Sequence, residues 1–199
     1  MKENNPEFVE RLLDVIDSEI IPLTVAGVEA GNKVFGAALL RKDDLSTVVA
    51  ATNDEMQSPL LHGEMNALKH FHEMPQTTRP EPQSLIFLST HEPCSLCLSA
   101  ITWAGFDNFY YLFSHEDSRD AFSIPHDLKI LKEVFNVEPG GYNRSNSFWQ
   151  SYGIREIVEA FDDKDRLDGL KRIEKLQARY DHISEVYQNG KASNNIPLN

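Results

Sequence analysis

Basic residues are scarce in this chain: 19 lysines and arginines stand against 31 aspartates and glutamates, a formal charge of −12 over 199 residues. Such an excess repels a polyphosphate backbone and argues against tRNA or DNA as a partner. It weighs less against a mononucleotide, which one local arginine cluster can hold. Cysteine is scarcer still. The two in the chain, Cys94 and Cys97, cannot build a disulfide framework, and their pattern fits a reducing compartment where thiols remain available to metal. No stretch is apolar for long enough to cross a membrane, and the opening Met-Lys-Glu-Asn-Asn-Pro-Glu lacks the apolar core of a signal peptide. A cytoplasmic protein without a membrane partner is therefore expected. Internal repeats and low-complexity tracts are also missing, which leaves one globular domain over residues 1–199 as the natural organisation.

What is present concentrates in two short stretches, His62-Gly63-Glu64 and Pro93-Cys94-Ser95-Leu96-Cys97. If Cys94 opens a helix, Cys97 falls on the same face and both thiols reach one metal ion. His62 can supply a third ligand. Two thiolates and an imidazole suit zinc, and three protein ligands leave a tetrahedral site open for a water, the mark of a catalytic rather than a structural site. Glu64, two residues beyond His62 at a helix entrance, is placed to move protons beside that water without binding the metal. A structural site would need a fourth ligand; His91 is the nearest candidate.

His-x-Glu followed by Pro-Cys-x-x-Cys is the signature of zinc-dependent nucleobase deaminases. The chain resembles the cytidine and deoxycytidylate deaminase superfamily, especially the branch that holds guanine, cytosine and tRNA adenosine deaminases. Phe35-Gly36-Ala37-Ala38-Leu39-Leu40 resembles the family's first strand, Thr90-His91-Glu92-Pro93 the run into the cysteines, and Ala104-Gly105-Phe106 the close of the following helix. The likeness covers roughly residues 20–135, with Gly63, Val34 and Leu96 standing where the family usually has alanine, proline and methionine. It implies a three-layer α/β/α fold with a mixed five-stranded sheet, zinc held by His62, Cys94 and Cys97, Glu64 as the catalytic proton carrier, Asn53 on the substrate ring, and a homodimer.

Along the chain, Asn5-Pro6 opens a helix whose stripe of Phe8, Leu12, Leu13, Ile16 and Ile20 is interrupted at Pro22, and a second helical piece runs from Leu23 to Glu29. Residues 1–19 are thus an addition to the family core. Apolar runs at 34–40 and 47–52 read as a hairpin, residues 85–88 and 109–113 as strands, 127–135 as a helix, and 136–138 as a short last strand. Residues 139–199 are a carboxyl-terminal extension: a loop containing Phe148, Trp149 and Tyr152, then an extra helix with a stripe from Leu167 to Tyr187. Phe35 and Trp149 are candidates for lining the pocket, Trp149 by stacking on a flat substrate, against the plainer alternative of packing the added helix to the sheet.

The expected activity is zinc-dependent hydrolytic deamination of a small amino-heterocycle, a free base such as guanine or cytosine or a nucleoside, with release of ammonia. Two alternatives stand beside it: a nucleic-acid adenosine or cytidine deaminase, which needs a basic face, and a non-catalytic binding protein on the same fold, for which Glu64 would be superfluous.

Overall fold

A computed structural model describes residues 5–138 and 141–198; the ends of the expected amino-terminal addition and carboxyl-terminal extension, and residues 139–140 between them, lie outside the described residues. Five strands, β1 (Gly36–Arg41), β2 (Thr47–Thr52), β3 (Leu85–His91), β4 (Asn108–Phe113) and β5 (Gln150–Gly153), form one sheet in the order β2-β1-β3-β4-β5. β1 pairs antiparallel with β2 and β3, whereas β3, β4 and β5 run parallel. Alternation along each strand sorts its side chains between two cores. Ala38, Leu40, Ile86, Leu88, Tyr110 and Leu112 face one layer of helices. Ala37, Leu39, Leu85, Phe87, Phe109 and Tyr111 face the other.

The first layer begins with α1 (Pro6–Val15), capped by the Asn5 side chain, which accepts the Phe8 N–H at 2.8 Å. The expected interruption at Pro22 does not occur. Proline in a helix lacks an N–H and collides with the carbonyl four residues back. Here the helix widens into a π-turn over Ile16–Ile20, with the Ile21 N–H reaching back five residues to the Ile16 carbonyl, and α2 (Ile21–Glu29) continues through Pro22. α7 (Ile154–Glu159) and α8 (Asp163–Gly190) complete this layer. Ile173, Leu176, Tyr180, Ile183 and Tyr187 recur on the buried side of α8 at helical spacing, the three aliphatic ones each stabilising the fold by about 1.5–3 kcal/mol relative to exposure. The added helix therefore covers the chain's own core and packs along α1 and α2. Arg172 of α8 clamps the rim through Asp14 and Asp17.

The second layer consists of α3 (Gly63–Glu73) and α4 (Ser95–Trp103). α5 (His115–Asp120) and α6 (His126–Phe135) lie between β4 and the carboxyl-terminal part of the chain. α5 escapes the periodicity argument because it is short and polar, although Ser114 and Asp117 form the capping box that starts it. The last strand is displaced from its expected place at 136–138. Asn136 takes a left-handed conformation (φ 55°) and caps α6, and residues 150–153 supply β5 instead. A four-residue edge strand, Gln-Ser-Tyr-Gly, carries no run of apolar residues to mark it; its anchor is Tyr152 stacked on Tyr110 at 4.8 Å between ring centroids. No helix among the described residues is long and apolar enough to cross a membrane.

Candidate active site

Two helix N-termini meet at the site. His62 is the extended residue before α3, and Cys94 the extended residue before α4, with Cys97 in that helix's first turn. The partial positive charge of a helix N-terminus favours thiolates there. α3 starts almost against β1: a Cβ on Gly63 would stand 2.6 Å from the Cα of Gly36, so the glycine answers a need for space rather than for backbone freedom. The run into Cys94 is held from behind. His115 Nε2 lies 3.0 Å from the Pro93 carbonyl, its backbone N–H donates to Glu92, and the Tyr142 hydroxyl donates to the same carboxylate at 2.5 Å.

These supports bring three donors together. Nδ1 of His62 lies 3.5 Å from Cys94 Sγ and 3.8 Å from Cys97 Sγ, and the two sulfurs are 3.7 Å apart. Tetrahedral zinc with its usual bonds requires edges of about 3.6 Å between nitrogen and sulfur and about 3.8 Å between sulfurs. The donor set fits zinc in spacing and in chemistry. Among the described residues no fourth His, Cys, Asp or Glu joins the group. His91 instead sits in an aromatic cage of Phe35, Phe113, Phe122 and Tyr180, where burial pushes it down to about 3.

The donors are strongly coupled. Burial pulls His62 down, but the hydrogen bond and charge of Cys94, with Glu64 and Glu55 behind them, lift it to about 9. The hydrogen bond from Cys97, helped by His62, holds Cys94 well below the usual thiol range despite burial. The same sulfur–sulfur contact, together with burial, raises Cys97.

Glu64 is buried, with Oε2 3.4 Å from Cys97 Sγ. Burial, then the Cys94 charge, raises its carboxyl. The Ser89 hydroxyl lies 2.8 Å from Glu64 Oε1, where a bond donated to the carboxylate works against that rise, and 2.6 Å from the His91 carbonyl, a second acceptor for the same proton. A hydroxyl has one proton. When Ser89 donates to the carbonyl, Glu64 must bring the proton for the other bond.

A cavity of about 300 Å³ opens over His62 and Cys94, mostly apolar through Phe35, Leu60, Leu96 and Ile124, with Lys33, Glu55 and Asp127 among its ionisable groups. An open depression of about 880 Å³ between α8 and residues 121–123 contains none of the three donors and is remote from this chemistry. Phe35 lines the cavity. Asn53 does not: it is buried beside it, its Oδ1 accepting the Gly63 N–H at 2.6 Å and its Nδ2 donating to Glu55 at 2.9 Å. Trp149 is outside the cavity as well. It packs on Phe109 and Tyr142, and its indole N–H donates to Thr102 of α4 at 2.8 Å, because β5 places it on the α4 side of the sheet.

Sequence reasoning missed Lys33, Glu55 and Asp127. Asp127 comes from α6, and burial, with Cys94 next, pushes it up to about 8. One signal was available, a lysine set in the run Asn32-Lys33-Val34-Phe35.

Comparison with known proteins agrees with this geometry. The profile of the cytidine and deoxycytidylate deaminase zinc-binding region matches residues 22–113. Among solved structures, a guanine deaminase from Bacillus subtilis is similar at 26% identity and a TM-score of 0.50, covering 67% of this chain and 77% of that one. A guanine deaminase from Nitrosomonas europaea (16% identity, TM-score 0.44, 80% and 81% covered) and a dCMP deaminase from the cyanophage S-TIM5 (17%, 0.42, 75% and 98%) are more distant. No curated protein sequence matches the chain. The profile match falls on the segment that carries the zinc-fitting donors His62, Cys94 and Cys97, so the chain is similar to the cytidine and deoxycytidylate deaminases through residues 22–113.

Proposed function

We propose that the chain is a zinc-dependent hydrolytic deaminase of a free amino-heterocycle of nucleobase size, with guanine the first substrate to test. The observation that carries this reading is the meeting of the His62, Cys94 and Cys97 donors with the buried Glu64 carboxyl below a cavity of about 300 Å³. That volume is at the low end for ligand pockets, matching a single base better than a nucleotide. The similarity to the Bacillus subtilis guanine deaminase supports the same choice, as does the Asp127 carboxyl lining the cavity, which suits a ring edge rich in N–H donors. The charge of −12 supports a small molecule over a nucleic acid.

In this reading His62, Cys94 and Cys97 hold the metal. Zinc, when bound, supplies Lewis acidity that makes hydroxide available near neutral pH. Glu64 accepts a proton from water and delivers it to the ring nitrogen next to the amino-bearing carbon. Water has then added across the C=N bond. A second proton, moved by Glu64 to the amino group, lets ammonia leave and a carbonyl remain. A carboxyl raised by burial is suited to both the uptake and the return. The apolar walls keep other water away, and the homodimer implied by the resemblance belongs to the same proposal.

The test is an ammonia-release screen of free bases, nucleosides, nucleotides and pterins, run beside Glu64→Ala. Release from a free base is expected, reduced by about 10²–10⁴-fold in the variant with its zinc retained. Equal release by both proteins removes Glu64 from the chemistry, and release from nucleotides alone overturns the size argument.

A further inference from the structure

Glu55 takes no part in the donor set or in the proton transfers, yet its side chain is 1% exposed beside the cavity. A buried carboxylate is costly unless it is paired. Its partners are specific: Oε1 accepts from Lys33 Nζ at 2.9 Å, and Oε2 accepts the Lys33 backbone N–H at 3.1 Å and Asn53 Nδ2 at 2.9 Å. A carboxylate offers about four acceptor sites. The one remaining is on Oε1, and Oε1 lies 3.9 Å from Nε2 of His62. A movement of the imidazole by about 1 Å turns that proximity into a hydrogen bond.

The second path runs through Asn53. Held by Glu55 on its amide nitrogen, Asn53 uses its oxygen to accept the Gly63 N–H at 2.6 Å, from the peptide that follows His62. Glu55 thus braces His62 on the outer edge of its ring and, through one intermediary, on its backbone. Because Nδ1 faces both sulfurs, metal binding there requires the ring proton on Nε2, and a neighbouring carboxylate favours that tautomer.

We infer that Glu55, charge-balanced by Lys33, is the positioning residue for His62, setting the tautomer and direction of its ring and, through Asn53, the start of α3. Asn53 is by this account the brace between Glu55 and the start of α3. The inference rests on His62, Cys94 and Cys97 being the zinc ligands.

The test uses the intact protein, with zinc affinity measured by competition against a chromophoric chelator and the imidazole followed by long-range ¹H–¹⁵N spectra of the zinc-loaded form. Wild type should bind one zinc with His62 protonated on Nε2. Glu55→Gln should bind zinc about 10–100-fold more weakly, with the Nε2–H signal displaced, while Leu176→Ala, destabilised on the other side of the sheet, keeps wild-type affinity. Unchanged affinity and an unchanged signal in Glu55→Gln overturn the inference. So does an equal loss in Leu176→Ala, which would make the effect one of general stability. Should Glu55→Gln not fold, Asn53→Ala leaves the ion pair intact and cuts only the backbone brace. It should lower zinc affinity by a smaller factor, and no change there overturns the inference. A wild type that binds no zinc instead overturns the ligand assignment itself.

Discussion

The two sides of the sheet solve different problems. On the side of α1, α2, α7 and α8, burial is almost entirely apolar and ion pairs stay at the rim, where Arg172 meets Asp14 and Asp17. Where α3 and α4 begin, the buried residues include Asn53, Glu55, Glu64, Asn66 and Ser89, with Lys33 against them. An apolar stripe is built from many interchangeable contacts, so each loss is local. A buried polar cluster is not: removing one member leaves its partner desolvated and unpaired. The first side supplies stability, and the second uses it to hold groups that would not otherwise be buried.

This contrast can be broken most sharply at Cys97. Cys97→Ser should lower zinc affinity by more than the roughly 10–100-fold that loss of an outer partner costs, and deaminase turnover should fall with it. Equilibrium dialysis with metal analysis checks this, and retention of stoichiometric zinc would dissolve the distinction between the two sides. On the apolar side, Leu176→Ala should cost about 2–5 kcal/mol in denaturant unfolding without weakening zinc. If metal affinity drops in step with stability, the sides are coupled and the division fails.

A pH-dependent effect sharpens the boundary between them, at His91. Burial holds it near 3 in the folded chain, against about 6.5 when unfolded. Between those values the unfolded state binds a proton that the folded state refuses, so stability is complete above about 6.5 and falls as pH drops toward 3, by up to about 1.4 kcal/mol per pH unit. His91→Leu should flatten that part of the stability–pH curve by one proton's worth of slope. A curve parallel to wild type would show that His91 is charged, or exposed, in the native protein.

Much of this was legible in the order of residues. The Asn5-Pro6 cap, the hairpin, the stripe on α8 and the turn at Gly105, whose φ is 81°, follow from local rules of spacing and capping. The trio His62, Cys94 and Cys97 was legible because metal chemistry restricts ligand types and their spacing. Other features were not local. Pro22 reads as a break unless a π-turn is known to precede it, and β5 has no apolar pattern of its own to distinguish it from the loop around it. Trp149 reads more readily as a packing residue than a stacking one, but only the strand beside it decides that it packs toward α4.

By itself, the sequence determined which atoms can hold zinc and which carboxyl stands beside them, because those depend on residue type and on intervals within single helices. Only the tertiary structure decided that Glu55 and Lys33 meet beneath His62, that Asn53 spends both ends of its amide on neighbours, and that Asp127 of α6 faces the cavity. These relations join segments far apart in the chain. The energy that makes them, burial and the pairing of charge within it, exists only once the layers have closed around the sheet.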